Sequence, residues 1–441
     1  QVTSQNEESH GKARSVAVRS VKLHPLLQEN TPSLHHEKLA EILINHENIL
    51  IIQDLDGVCM GLVKDPLTRT IDPDYVRATQ ALAGHFYVLT NGEHIGKRGV
   101  NPIIERAFGD ADFVKENKLY LPGLGAGGVQ WQDRAGNVSH PGVTDPELAF
   151  LKPVPQRLRD QLEQFFQEQE TSLSEAEIQQ GIAASILDNI ASPTANLNTL
   201  YEKLKDSPAI YRALQARMEQ GMETLLKEAV AAGLDASFFV HYAPNLGRDQ
   251  QGKEILRPAA ENDSGTTDFQ FMIRGAIKEA GVLAILNRYY YQRTGNYPLG
   301  ETFNVRNAPN DYSELKQLVT HHFDPNLMPV MVGVGDTVNS SVTENNGQLE
   351  AKRGGSDRAF LQLIQEIHPH NIVVYIDSSG GEVKNRKPVR IETTATGEPR
   401  IAQLPTDPQD TADPLRLDVI FPHGHTQYTA FFRQVAAQRL P

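Results

Sequence analysis

Short apolar runs that follow helical patterns are the feature that most limits how this chain can fold. They lie at residues 48–53, 85–89, 329–334 and 371–376. Each run is rich in β-branched residues and has polar residues around it, as in strands buried on both faces. Helical patterns precede them near residue 39 and at residues 74–83, 311–320 and 358–367. Alternating helices and buried strands predict an α/β fold with a doubly wound, Rossmann-like core around a parallel sheet.

The chain between the second and third runs is too long for one crossover connection. It carries a hairpin pattern at residues 129–138, helical patterns over 156–232, and a predicted helix over 269–293. We therefore predict a large inserted α+β cap domain. The predicted division is a flexible leader at 1–36, core at 37–100, cap at 101–303 and core again at 304–441.

Charge and cysteine content exclude several classes of partner and compartment. The formal net charge is -13, which argues against binding to nucleic acid or to an anionic membrane, because both need a basic surface. Cys59 is the single cysteine, which favours a reducing compartment. No apolar stretch approaches the roughly 20 residues that span a bilayer, and residues 1–29 lack an apolar signal core. We expect a cytoplasmic protein; whether residues precede Gln1 stays open, because the sequence does not begin with Met.

Polar side chains follow three of the predicted strands. Asp54 and Asp56 come directly after the first, Thr90 and Asn91 after the second, and Asp336 after the third. In open α/β sheets, ligands bind beyond the carboxyl ends of the strands. A single strand-end aspartate is most often a turn cap, but three strands that deliver polar groups to one edge indicate a site. Crowded carboxylates need a cation or protons to neutralise them.

These motifs resemble those of the haloacid-dehalogenase-like phosphohydrolases. The resemblance rests on Asp-Leu-Asp-Gly at 54–57, Thr-Asn at 90–91 and Gly-Asp-Thr-Val-Asn at 335–339, with a large insertion before the last motif. Over most of its length, the chain is similar to the cyanobacterial glucosylglycerol-3-phosphate phosphatases. These enzymes complete the synthesis of a compatible solute under salt stress.

The resemblance implies a mechanism and a role for each motif residue. Asp54 would form an aspartyl-phosphate, and Asp56 would protonate the leaving oxygen and then activate water. Mg2+ would be held by the Asp54 carboxylate, the Asp56 backbone carbonyl and Asp336, while Thr90 and Asn91 would bind phosphoryl oxygens. The implied substrate is a small sugar phosphate, with the glucosylglycerol-phosphate synthase as a candidate partner.

Two positions depart from the pattern of the superfamily. A Lys or Arg is expected near the start of the helix before the third strand, where Lys316 is the nearest candidate and Arg306 the reserve. An acid is also expected just after Asn339, where this chain has Ser340. We therefore expect Asn339 or Ser340 to support the metal directly or through water.

Two other functions stay open at this point. One is phosphatase activity on another sugar phosphate, such as sucrose- or trehalose-phosphate, because the sequence does not show which side chains face the sugar. The other is a non-catalytic phosphosugar-binding protein on the same fold. The presence of Asp54, Asp56 and Asp336 argues against the second, since binding alone does not require both leading aspartates.

Overall fold

The computed structural model describes residues 32–439. Its strands, in chain order, are β1 (Ile49–Gln53), β2 (Phe86–Leu89), β3 (Gly123–Gly125), β4 (Gln130–Gln132), β5 (Val138–Ser139), β6 (Ile186–Leu187), β7 (Thr194–Asn196), β8 (Phe238–Ala243), β9 (Asn245–Arg248), β10 (Glu254–Leu256), β11 (Asp268–Ile273), β12 (Val330–Gly335), β13 (Asn339–Asn345), β14 (Gln348–Gly354), β15 (Ile372–Ile376), β16 (Arg390–Thr393), β17 (Pro399–Gln403) and β18 (Val419–Phe421).

The α-helices lie between these strands and at both ends of the described chain. In chain order they are α1 (Glu37–Asn45), α2 (Pro73–Gln80), α3 (Val100–Phe108), α4 (Ala111–Glu116), α5 (Asp145–Leu151), α6 (Val154–Glu168), α7 (Glu175–Ser185), α8 (Asn198–Lys203), α9 (Pro208–Ala231), α10 (Lys278–Thr294), α11 (Tyr312–His322), α12 (Arg358–Ile367) and α13 (His425–Gln438).

The largest sheet has eight strands in the order β18-β15-β12-β1-β2-β3-β4-β5. From β18 to β3, every neighbouring pair is parallel. β1 is buried along its whole length, as expected for a strand covered on both faces. The predicted doubly wound α/β fold is therefore confirmed, and the four predicted runs form β1, β2, β12 and β15.

The edge of this sheet includes residues that we predicted for the cap. The predicted hairpin is present as the antiparallel pair of β4 and β5, but β4 also pairs with β3 and so extends the main sheet. The insertion therefore leaves the core after β5, later than the predicted residue 101.

A second sheet, in the order β6-β7-β11-β8, forms the centre of the insertion. α9 packs against β8 and β11, and α6 packs against α9. The helix predicted over 269–293 is wrong in its first part, because β11 occupies 268–273 and α10 begins only at Lys278. α10 packs against β2, α11 and α12, so it belongs to the core rather than to the cap, whose end we predicted at residue 303. The inserted region therefore lies between β5 and α10.

Apolar side chains fill the space between the main sheet and its helices. Leu50 and Ile52 of β1 belong to one buried cluster, and Ile49 and Ile51 belong to another. Alternate residues of the strand thus pack into hydrophobic cores on opposite faces of the sheet. Most of the predicted leader at 1–36 lies outside the described residues. Within 32–439, no helix is both long enough and apolar enough to span a membrane.

Candidate active site

Three aspartates meet at the carboxyl ends of two adjacent central strands. Asp54 follows β1, Asp336 follows β12, and Asp357 immediately precedes α12. The Asp54 backbone N–H donates to the Val334 carbonyl over 3.1 Å, which continues the pairing of β1 with β12. Carboxylate oxygens of the three aspartates lie within 4.8 Å of one another, and all three residues are buried.

The turn after Asp54 allows this close approach because it contains glycine. Gly57 has a φ of 82°, in the left-handed region that side chains with a Cβ rarely adopt. A Cβ at this position would lie 2.0 Å from the Asp336 Oδ2 atom. The glycine of the Asp-Leu-Asp-Gly motif therefore allows the backbone to turn and leaves room for the Asp336 side chain.

Lys278 supplies a buried ammonium group to the three acids. Its Nζ lies 2.9 Å from Asp54 Oδ2 and 2.7 Å from Asp357 Oδ1, and its side chain is 4% exposed. Lys278 is the first residue of α10, directly after the link from the cap strand β11. A positive charge this deeply buried requires negatively charged partners, and both aspartates provide them.

Burial and mutual repulsion perturb the acids of this cluster. Burial, and then the negative charge of Asp357, raise the pKa of Asp54 to about 7. Burial also raises the pKa of Asp336, and the nearby Arg386 opposes that change. Burial alone would lower the pKa of Lys278, but the carboxylates of Asp357 and Asp54 reverse this and raise it. The cluster thus disfavours a full set of ionised carboxylates unless more positive charge is added.

Asp357 is an acid of this cluster that the sequence motifs did not include. The β13–β14 hairpin separates it from Asp336 in sequence, yet Asp357 Oδ2 accepts the backbone N–H of Asp336 over 3.0 Å and that of Thr337 over 3.1 Å. The expected metal support by Asn339 and Ser340 stays a prediction. Asn339 is exposed at the start of the hairpin, and the Ser340 hydroxyl accepts the backbone N–H of Asp407.

Neither basic residue suggested by the sequence occupies the position of Lys278. Lys316 lies on α11 and its Nζ is 2.9 Å from Glu366. Arg306 forms two hydrogen bonds, of 2.9 and 2.8 Å, with the carboxylate of Glu147. In both predictions we placed the cation in the segment before β12. Lys278 instead lies earlier in the chain, where the chain passes from the cap strand β11 into α10.

The remaining predicted residues follow β1 and β2, at the carboxyl ends of two paired parallel strands. Both oxygens of the Asp56 carboxylate lie 3.3 Å from an Arg69 guanidinium nitrogen. Thr90 is buried after β2, and its hydroxyl accepts the backbone N–H of Gly92. Asn91 follows it in the same turn and is half-buried. These positions are compatible with the predicted roles in proton transfer and phosphate binding, which stay predictions.

Arg386 is a further basic residue at the site that the sequence did not indicate. Its Nε lies 3.9 Å from Asp336 Oδ2. Neither atom has a hydrogen-bond partner among residues 32–439, although both are buried. Ser378, on the segment that follows β15, also lies beside the Asp336 carboxylate, and its hydroxyl acts against the rise in the pKa of Asp336. Unpaired polar atoms at one place are typical of a site that binds a polar ligand.

The composition of this cluster fits a hard divalent cation. Such ions prefer carboxylate oxygens, and Asp54, Asp336 and Asp357 offer three within 4.8 Å. Lys278 and Arg386 bring only two positive charges to three carboxylates, and Asp336 Oδ2 is buried without a hydrogen-bond partner in the described part of the chain. The residues present can therefore hold such an ion.

Comparison with known proteins gives matches over nearly the whole chain. The model of a family described as glucosylglycerol-phosphate phosphatase matches residues 48–436. A glucosylglycerol-phosphate phosphatase of Synechocystis sp. is 58% identical over 418 residues, which are 94% of this chain and 98% of that protein.

The solved structures that match this chain have little sequence identity to it. The C-terminal domain of trehalose-6-phosphate phosphatase from C. albicans is 10% identical, with a TM-score of 0.43 and coverage of 93% of this chain and 99% of that one. Trehalose-6-phosphate phosphatase from Aspergillus fumigatus is 11% identical, with a TM-score of 0.36 and coverage of 92% and 100%.

Proposed function

This chain belongs to the glucosylglycerol-phosphate phosphatase family, and on that premise we propose that it hydrolyses 2-O-glucosylglycerol 3-phosphate to glucosylglycerol and inorganic phosphate. The observation that carries the proposal is the contact of Asp54 with Lys278 beside Asp336 and Asp357. A nucleophilic carboxylate, a buried cation and acids able to hold a metal are the parts that phosphoryl transfer through an aspartyl-phosphate requires. We place this reaction in compatible-solute synthesis in the cytoplasm.

The reaction begins with Asp54. A carboxylate oxygen of Asp54 bonds to phosphorus, and the bond from phosphorus to the glycerol oxygen breaks. Asp56 gives its proton to that departing oxygen, then takes a proton from the water that attacks the aspartyl-phosphate. Phosphate leaves and Asp54 is free again. The Arg69 guanidinium, 3.3 Å from the Asp56 carboxylate oxygens, orients that group for both transfers.

Cations at the site offset the charge of the phosphate dianion. Lys278 holds the Asp54 carboxylate in place and faces the transferring oxygens, and Thr90 and Asn91 donate hydrogen bonds to them. We propose that Asp54, Asp336 and Asp357 hold Mg2+, which would neutralise negative charge on the nucleophile and the phosphate. Asp357 also fixes the backbone of Asp336 and Thr337 through the hydrogen bonds described above.

A substrate panel with and without Mg2+ tests this function. We expect phosphate release from glucosylglycerol 3-phosphate to exceed release from sucrose-6-phosphate and trehalose-6-phosphate, and to stop when the metal is chelated. Asp54→Asn keeps the size of the side chain but removes the nucleophile, so its turnover should fall by at least about 10³-fold. Full turnover in Asp54→Asn, or hydrolysis of no ester in the panel, would refute the proposal.

A further inference from the structure

One face of the cap sheet is polar, although the sheet has a hydrophobic core on its other face. Phe269 and Phe271 of β11 are buried in the apolar cluster beneath the cap helices. Asp268, which precedes Phe269, and Gln270, which lies between the two phenylalanines, point to the opposite face, because side chains alternate along a strand. Gln270 pairs with His241 of β8, so these two side chains share that face.

The polar groups of this face are buried without partners. Asp268 Oδ1, Gln270 Oε1 and His241 Nε2 are each shielded from solvent, and none has a hydrogen-bond partner within residues 32–439. A buried polar atom without a partner costs about 1–3 kcal/mol. Three such atoms on one sheet face therefore indicate a ligand that supplies the missing hydrogen bonds.

This face is turned toward the catalytic aspartates. Met272 lies on the same face as Gln270, and its Cε would be 2.7 Å from a Cβ placed on Gly127 of the core. Asp268 is close enough to Arg386 and Asp56 for both charges to affect its pKa, which burial raises to about 6. The polar face and the acids around Asp54 thus border the same space.

Glu254 fixes the orientation of the His241 ring. Its carboxylate oxygens lie 2.8 and 2.9 Å from His241 Nδ1. An imidazole whose Nδ1–H donates to a carboxylate presents its Nε2 in a fixed direction. Glu254 also accepts the backbone N–H of Tyr242 and the side-chain amide of Asn245, so it is itself held in place.

We propose that Asp268, Gln270 and His241 form the subsite that binds the hydroxyl groups of the glucosyl unit. The carboxylate and amide oxygens accept hydrogen bonds from sugar hydroxyls, and His241 Nε2 pairs with a third. This inference rests on the proposed function and names residues that determine its substrate specificity. Buried groups made to pair with hydroxyls reject a substrate that lacks them, because those groups are then left unpaired.

A pair of substrates that differ only in the glucosyl unit tests the subsite. Glucosylglycerol 3-phosphate and glycerol 3-phosphate have the same leaving oxygen, so the ratio of their kcat/KM values reports contacts to the sugar. We expect Asp268→Ala to lower this ratio about 10–100-fold, and Gln270→Met about 3–10-fold. Gln270→Met is close in size to the native side chain and serves if Asp268→Ala does not fold.

Matched controls come from exposed positions of the cap. Asp235→Ala and Gln251→Met make the same substitutions at exposed positions. Both variants should keep the wild-type ratio of kcat/KM values. An unchanged ratio in folded Asp268→Ala and Gln270→Met, or an equal loss on both substrates, would overturn the subsite and leave the proposed function standing. If the wild-type protein hydrolyses neither substrate, the proposed function itself fails and the subsite fails with it.

Discussion

Removal of the Lys278 ammonium group should abolish most of the activity and weaken the fold around the site. In Lys278→Met, the aliphatic part of the side chain is retained while the charge is lost. The Nζ atom of Lys278 has two carboxylate neighbours, Asp357 at 2.7 Å and Asp54 at 2.9 Å, in a setting that is almost closed to solvent. The substitution would leave both acids buried beside Asp336 with no lysine to offset their charge.

The size of the effect follows from this burial. Removing one partner of a buried ion pair costs about 3–5 kcal/mol, because the other charge stays buried without compensation. We therefore expect metal-free Lys278→Met to unfold more readily by that amount in denaturant titrations. The loss of one positioned charge that stabilises a transition state lowers kcat by about 10²–10³-fold. That decrease should be measured with Mg2+ at saturation, so that weaker metal binding does not contribute.

Lys316→Met is the matched control for this experiment. Lys316 is also a helical lysine in an ion pair, but its partner is Glu366 and its side chain is 25% exposed. Lys316 touches neither Asp54 nor Asp357 through any of its described bonds. We expect kcat to change less than about two-fold. Loss of turnover in Lys316→Met together with normal turnover in Lys278→Met would refute the assignment of the catalytic cation.

Three further predictions concern groups around the cluster. Arg306→Met should lower the free energy of unfolding by about 3 kcal/mol, since Glu147 would stay buried with its helix-capping hydrogen bonds but without a positive charge beside it, whereas the double variant with Glu147→Gln should recover much of this loss in the same denaturant titration. Asp357→Asn should weaken Mg2+ binding at least about 10-fold by calorimetry, and unchanged affinity would exclude it as a ligand. Gly57→Ala should reduce turnover strongly, because its Cβ would lie 2.0 Å from Asp336 Oδ2; normal kinetics would show that the turn can relax.

The core of the fold was predictable because local pattern and tertiary environment agree there. Strands buried on both faces must be apolar throughout, so β1, β2, β12 and β15 are visible as apolar runs. The aspartates that follow such strands are equally visible, since strand ends converge at one edge of the sheet. β11 was not recognised as a strand, because its Phe269, Met272 and Ile273 also have the i, i+3, i+4 spacing of a helix that continues into α10.

Asp357 was missed because sequence distance conceals its position. The β13–β14 hairpin is almost entirely exposed and carries the chain away from Asp336 and back again. Gly355 lets the chain pass close to Thr337 after the hairpin. Its φ is 107°, and a Cβ there would lie 2.1 Å from the Thr337 carbonyl oxygen. The Gly-Gly-Ser-Asp sequence at 354–357 is a turn signal before a helix, but only the pairing of the hairpin places its aspartate beside Asp336.

Lys278 was missed for a different reason, which bears on how the cap and the core act together. Its position at the start of α10 follows β11 after only the four residues 274–277. The strand that carries Asp268 and Gln270 therefore leads almost directly to the lysine that contacts Asp54. The predicted cap at 101–303 included Lys278, so the predicted cations, Lys316 and Arg306, were both taken from the segment after the cap. A single short connection thus joins the polar face of the cap to the lysine that contacts Asp54.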